Sequence, residues 1–405
     1  MVFVLGGVQT DFARHLAREG TGLDQLTGEL IDHVVDAAAI DIADIGSIHV
    51  GNAFGELFTG QAQMGALPAT ARPALWGVPA SRHEAACASG SIAVLSAMTD
   101  IESGRYDCVL VLGIEQERNV SGETGAKHMG AAAWVGHEGE SARYVWPHMF
   151  SRIADAYDER WGLSHHHLAA IAKKNLANAR RNPLAQTRGW NWTDATLGDD
   201  DPANAIVEGR LRRYDCAQVT DGAAAVILAS PAFAAAHAAR TGRKAARISG
   251  WGHRTAALGL EAKLARHTDT TQLLLPHLAR AVTDALGRAG VPEVTALDGV
   301  EVHDCFTITE YMAIEHLGLA APGEAWKQIE GGVHDATGGL PINPSGGLIG
   351  GGHPVGATGV RMLVDAAHQV TGTAGDCQVE GATKFATLNI GGSGTTAVCF
   401  VVAAA

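Results

Sequence analysis

Charge is scarce in this chain. Only 18% of its 405 residues are Asp, Glu, Lys or Arg, and the balance is −13 with histidine neutral. A surplus of that sign excludes nucleic acid as a general partner, although a local basic patch for an anionic cofactor stays open. Aromatic residues are fewer still, at 5%. None of the six cysteines, Cys87, Cys108, Cys216, Cys305, Cys377 and Cys399, forms a CxxC pair. A structural zinc site is therefore not expected, and no metal is assigned. No disulfide framework is visible either, and free thiols suit a reducing, cytoplasmic setting. The start, MVFVLGGVQTDFAR, has no basic region followed by an apolar core and reads as a strand rather than a signal peptide. The last three residues are alanines, not a peroxisomal tripeptide. No apolar run is long enough to span a bilayer.

What is abundant is apolar surface and glycine. Apolar residues make up 46% of the chain and glycine contributes 50 residues. That describes a well-buried globular protein with close packing and many turns, of a length for two or three domains. Val2–Gly6 and Ser47–Val50 read as strands around a helical segment, Leu23–Ala39. Ser89–Ile101 has helical spacing of Ile92, Leu95 and Met98. Cys108–Gly113 is a continuous apolar run, as a strand buried on both faces requires. Strand–helix alternation of this kind predicts a layered α/β domain. Residues 118–213 change character, being rich in His, Trp, Asn and charge, with helices at Met149–Trp161 and His165–Arg180. Asp221–Ser230 returns to a buried strand. The second half repeats the grammar with strands at Ala246–Gly250, Val300–Phe306, Val379–Ile390 and Thr396–Val402, and helices at Leu274–Ala289 and Arg361–Val370. The expected division is an N-terminal half from 1–117 plus 214–240, a lid at 118–213 and a C-terminal half at 241–405.

Four segments could carry chemistry. Cys87 lies in EAACASGSIAV, just before a helix whose positive end and backbone N–H groups would lower its pKa and make it a nucleophile. The alternative is a small buried core cysteine. His303 and Cys305 lie in EVHDCF; strand alternation would put both on one face with Asp304 on the other, as a proton-transfer pair or as core residues. His353 sits in the glycine run GGLIGGGHPVGATGV, where backbone can come close to a bound group. A phosphate loop is the competing reading, but the glycine spacing fits neither the dinucleotide nor the Walker motif. Asn389–Gly394 is a second glycine turn, in which Gly391 could present an N–H to a carbonyl oxygen. The consecutive His165, His166 and His167 splay around a helix and read as solvated.

Taken together, CAS at Cys87–Ser89, HDCF at His303–Phe306, GHP at Gly352–Pro354 and the turn at Gly391–Gly394 resemble the thiolase superfamily. The run NPSGGLIGGGHPVGATG, Asn343–Gly359, and VTDGAAAVILAS, Val219–Ser230, strengthen the resemblance, which covers essentially the whole chain. HDCF, where most thiolases carry Asn-Glu-Ala-Phe, makes it similar to thiolases of the sterol-carrier-protein type, without the sterol-carrier domain.

The resemblance implies a thiolase fold: two duplicated βαβαβαββ halves in a five-layer α-β-α-β-α sandwich with an inserted loop domain. It implies Cys87 as the acylated nucleophile, His353 as its base, and His303 as an oxyanion donor. Asn389 stands where most thiolases have a second cysteine, so Cys305 inherits the second acid/base role. Gly391 and Cys87 N–H groups would form another oxyanion hole, and Ser89, Asn343 and Gly352 would help bind substrate. Coenzyme A is implied as a co-substrate, with no permanently bound cofactor. The implied activity is exchange between 3-ketoacyl-CoA plus CoA and acetyl-CoA or propionyl-CoA plus a shortened acyl-CoA. A homodimer or tetramer is implied as well. Two alternatives remain: a lyase or acyltransferase working with a small OB-fold partner, and an acyl-CoA binding protein without turnover.

Overall fold

A computed structural model describes residues 1–199, 202–266 and 269–405. Its strands are β1 (Val2–Gln9), β2 (Ser47–Gly51), β3 (Ala80–His83), β4 (Cys108–Glu115), β5 (Ile206–Glu208), β6 (Leu211–Arg212), β7 (Gly222–Ala229), β8 (Ala246–Thr255), β9 (Gly299–Val302), β10 (Lys384–Gly391) and β11 (Thr396–Ala404). Apart from the β5–β6 hairpin, they hydrogen-bond in the order β3-β2-β4-β7-β1-β8-β11-β10-β9. The seam between the halves is β1–β8, paired only where Val2–Val4 meet Ala246–Ile248.

Side-chain alternation builds the layers. β4 and β7 are buried along their whole length, as continuous apolar runs predict. Leu110, Leu112, Ala225 and Ile227 pack outward against the helix Leu23–Ala38. Their neighbours Val109, Val111, Val226 and Leu228 point inward, where the helices Ser89–Glu102 and Thr358–Thr371 lie. Phe385, Val398, Phe400 and Val402 of the second half join that same central core. The opposite face of β10 and β11, with Leu388, Ile390, Cys399 and Val401, packs against Pro276–Ala289 and Thr307–His316. The result is helix, sheet, helix, sheet, helix, five layers with two helices buried at the centre.

Several segments depart from the periodicity, among them the strand expected over Val379–Ile390, which begins only at Lys384. The strand expected over Val300–Phe306 ends at Val302, and an unforeseen helix begins at Thr307. Asp304 accounts for the break. Its carboxylate accepts the N–H groups of Leu348 (2.6 Å) and Ile349 (3.2 Å), which draws the chain out of the ladder. Next to β9 the outer strand shrinks to a single bridge, Val300 to Ile342. Pro341 and Pro344 flank that position and cannot donate to a longer ladder.

The segment 118–213 is anchored by its helices. Met149, Phe150, Ile153, Ala154 and Tyr157 of Val145–Trp161 belong to the core of the second half. Of the three histidines that open the helix His165–Ala179 only His166 is exposed; His165 pairs with Asp215 and Asp199, and His167 with Glu330. Two of the three histidines expected to be solvated are therefore tied to acids.

Candidate active site

Cys87 sits on a tight turn between β3 and the helix Ser89–Glu102. The turn forces Ala86 into a left-handed conformation, φ 51°, an arrangement that costs a side chain about 1–2 kcal/mol. Ser89 holds the turn: its hydroxyl accepts the Ala85 N–H at 2.9 Å and donates to Ala86 O at 2.6 Å. Ser89 is therefore a brace for the nucleophile, not the substrate contact expected from the sequence. Removing it in Ser89→Ala leaves the part-buried Ala85 N–H without this partner and should cost about 1 kcal/mol of stability. A denaturant midpoint measurement checks this.

His353 arrives from the other half. Gly352 precedes it with φ 109°, open to glycine but not to a side chain, and turns the chain into the site. The His353 N–H donates to Thr220 Oγ1 at 2.9 Å. Its Nδ1 lies 2.6 Å from Thr358 Oγ1, and that hydroxyl donates to Pro354 O at 3.0 Å. Since the Thr358 proton is committed to Pro354, the oxygen must accept from His353 Nδ1–H. Nε2 of His353 is then an unprotonated base.

His303 is held in the opposite tautomer. Ser91 Oγ donates to Asn389 Oδ1 at 2.8 Å, which orients the amide so that its Nδ2 faces His303 Nδ1 at 3.0 Å. An accepting Nδ1 places the His303 proton on Nε2. The two rings meet edge to face with centroids 5.2 Å apart. Cys87 Sγ and a nitrogen of each imidazole lie within 4.8 Å of one another. One thiol, one base and one donor thus share a space that the sequence spreads across 266 positions, 87 to 353. The same three atoms are the one metal-sized cluster of His, Cys and acidic groups among the described residues.

The cavity in front of them has a volume of about 200 Å³ and is walled by Cys87, Cys305, Cys216, His353, Glu117 and Gly392 together with apolar side chains. Cys305 is buried, and burial together with the neighbouring Cys87 pushes its thiol well up. Its partner from HDCF, Asp304, faces away toward Leu348 and Asn175. The predicted division of His303 and Cys305 from Asp304 is thus achieved by a loop, not by strand alternation.

Three expectations need correction. Gly391 closes β10 against Thr396, and the N–H that reaches the Cys87 sulfur is that of Gly392, one residue on. Asn343 spends its amide on the Val302 N–H (2.8 Å) and Glu310 (2.8 Å), fully buried behind the site. The Cys87 thiol is not lowered. Burial, then the charge of Glu117, pushes it up to about 12, and the Gly392 and Cys87 N–H groups offset this only in part. Burial, then Arg361, depresses His353 to about 3, while burial and then His353 hold His303 well below the ordinary imidazole value. At neutral pH the resting pair is therefore thiol and neutral imidazole, with the proton moving inside the pair during attack.

This has a direct signature. Iodoacetamide alkylation of Cys87 should vary by no more than about threefold between pH 5.5 and 8, because the proton stays within the Cys87–His353 pair. A rate rising about tenfold per pH unit would mark an unassisted thiol.

A half-buried thiol at a helix entrance, faced by a base imidazole and a donor imidazole between two fused α/β halves, defines an acyl-transfer site. The family of the thiolase N-terminal domain matches residues 2–232 and that of the thiolase C-terminal domain-like region matches residues 260–404. The chain belongs to the thiolase family. Among curated relatives, an acetyl-CoA acetyltransferase of Methanothermobacter thermautotrophicus is 33% identical, covering 91% of each chain. Another of that name, from Methanocaldococcus jannaschii, is 31% identical over 98% of this chain and 97% of its own. Human sterol carrier protein 2 is 30% identical over 98% of this chain and 71% of its own length. Among solved structures, an "Ltp2-ChsH2(DUF35) aldolase" superposes with TM-score 0.80 at 20% identity, covering 100% of this chain and 97% of that one. The Acat5 thiolase of Ascaris suum in complex with coenzyme A gives 0.70 at 17% identity, covering 100% of both chains. Both structures bear on the fold, and the sandwich with two interior helices is that of the thiolases. Among the described residues no helix is long and apolar enough to cross a membrane.

Proposed function

We propose that the chain is an acyl-CoA thiolase that cleaves 3-ketoacyl-CoA with CoA to acetyl-CoA or propionyl-CoA and a shortened acyl-CoA, or runs the reverse Claisen condensation. The observation that carries the reading is the opposite tautomers of the two histidines in front of Cys87. His353 Nε2 takes the Cys87 proton as sulfur attacks the ketone carbon. Cleavage of the bond between C2 and C3 leaves the acyl group on Cys87 and electrons on the departing CoA thioester. The thioester oxygen bearing that charge faces His303 Nε2–H and the newly protonated His353 Nε2–H, while Cys305 gives its proton to C2. Cys305, now a thiolate, takes the proton of an incoming CoA thiol, whose sulfur displaces Cys87, and the leaving Cys87 sulfur recovers its proton from His353. The N–H groups of Cys87 and Gly392 stabilise the oxyanion formed at the acyl carbon in both attacks. Donors placed in this way lower the barrier by about 3–4 kcal/mol each.

Lid residues 118–213 cover the acyl group in this scheme, coenzyme A is a co-substrate, and no further cofactor enters the reaction. The relatives' names and the fold neighbours support the assignment. A cytoplasmic, homo-oligomeric protein completes the proposal, with a second copy at the short open edge strand β3. A lyase assisted by a small OB-fold partner is the second reading, favoured by the resemblance in fold to the Ltp2-ChsH2(DUF35) aldolase. Thiolysis does not require such a partner, whereas an aldol cleavage would leave Cys87 unacylated. The test is thiolysis of straight and branched 3-ketoacyl-CoAs of several lengths, with intact mass of the protein followed in parallel. Loss of ketoacyl-CoA with an acyl adduct on Cys87 is expected. Absence of turnover at every chain length overturns the proposal.

A further inference from the structure

Three carboxyls are buried side by side where β4 leaves the sheet. Glu115, Glu117 and Asp221 are each no more than 2% exposed. Two of them are consumed in pinning loops. Glu115 accepts the N–H groups of Ala53 (2.8 Å), Phe54 (3.1 Å) and Gly356 (3.0 Å) and the Asn52 amide (2.9 Å). Asp221 accepts those of Glu117 (2.7 Å), Arg118 (2.8 Å) and Leu16 (3.0 Å). Glu117 differs. Its Oε1 is buried with no hydrogen-bond partner, and its side chain forms part of the wall of the catalytic cavity. It is also the acidic group that acts most strongly on the Cys87 thiol.

Around Glu117 the cavity wall is apolar, with Phe54, Ala126, Met129, Phe150 and Val355. Burial and then the neighbouring Glu115 and Asp221 hold the carboxyl well above its ordinary range. The backbone N–H groups of Val355 and Thr220 act on one side of this carboxyl, so its neutral form has the O–H donor left to offer to whatever fills the cavity. A plain alkyl chain would leave that donor unsatisfied. A polar group buried without a partner costs free energy on every binding event, and sites built to hydrogen-bond a substrate oxygen discriminate far more sharply than sites that sense size.

We propose that Glu117 is a specificity residue for an oxygenated acyl group: the acyl chain bound here carries a hydroxyl or carbonyl oxygen, further out than the carbon that Cys87 attacks, that hydrogen-bonds to the Glu117 carboxyl. This rests on the acyl-transfer reading of the site.

Equilibrium binding of hexanoyl-CoA and of its 3-, 4-, 5- and 6-hydroxy derivatives to the full chain tests it, with wild type, Glu117→Gln and Glu117→Leu compared. Wild type should bind at least one hydroxylated thioester about tenfold or more tightly than hexanoyl-CoA. Glu117→Gln, which keeps a donor and an acceptor, should retain part of that preference. Glu117→Leu should lose it and bind hexanoyl-CoA as well as wild type or better. A merely structural role would weaken all thioesters together and leave their ratio unchanged, which overturns the proposal. So does a wild type without preference, or a preference that survives in Glu117→Leu. Failure of wild type to bind any thioester overturns the acyl-transfer reading itself.

Discussion

Cys305→Ala should lower thiolysis of a 3-ketoacyl-CoA by about 10²–10⁴-fold, the usual contribution of a positioned acid/base, while leaving Cys87 open to acylation. The two effects separate if the acyl donor is chosen for its leaving group. A nitrophenyl ester departs without needing a proton, so Cys87 and His353 suffice, and intact mass should show the adduct forming at nearly the wild-type rate. A CoA carbanion and a CoA thiol both need proton transfer, and both steps then stall. The competing thiol is Cys216, which also borders the cavity. Its Sγ, however, is directed to Arg212 O at 3.3 Å, whereas Cys305 lies close enough to Cys87 for the two charges to oppose each other. Cys216→Ala should therefore keep most of the turnover. Full activity in Cys305→Ala, or its loss in Cys216→Ala alone, reverses the assignment of the second acid/base.

The layers of the fold were legible because burial on two faces leaves an unmistakable run. β4 and β7 carry almost no polar side chain, and the inner helices are small-residue helices that two sheets can approach. At Gly90 a Cβ would come within 2.8 Å of Gly356 O, the contact that lets the two central helix entrances meet at the site. What could not be read was set by contacts between distant segments. Nothing local to EVHDCF announces that the strand stops at Val302, because the carboxylate that stops it binds N–H groups more than 40 positions away. The candidate site was legible at Cys87, His303, Cys305 and His353 as residue types in motifs. The state of those residues was not. Helix position suggested a lowered thiol, but desolvation and Glu117 outweigh two N–H donors and a helix end. Glu117 itself gave no signal, since a carboxyl after a buried strand reads as the first residue back in solvent.

Asn389 shows the same limit most sharply, as its place in the sequence reads only as a missing cysteine. In the structure its amide, aligned by Ser91, decides which nitrogen of His303 carries the proton. Asn389→Asp changes that decision at nearly constant shape. An ionised carboxylate accepts and cannot donate, so neutral His303 would move its proton to Nδ1 and present a bare Nε2 lone pair to the thioester oxygen. Loss of one oxyanion donor should reduce kcat by about 10²–10³-fold at pH 8. The sign of the pH effect then follows. In wild type, burial and His353 hold His303 neutral throughout the working range. A carboxylate beside Nδ1 stabilises the imidazolium and raises that pKa. As pH falls the variant's His303 gains a second proton, Nε2–H returns, and the ratio of variant to wild-type rate should climb between pH 8 and pH 5.5. A variant that had only lost stability would lag by the same factor across that range. A flat ratio, or a variant as fast as wild type at pH 8, means that the Asn389–His303 bond does not set the tautomer, and the donor to the thioester oxygen must be sought elsewhere.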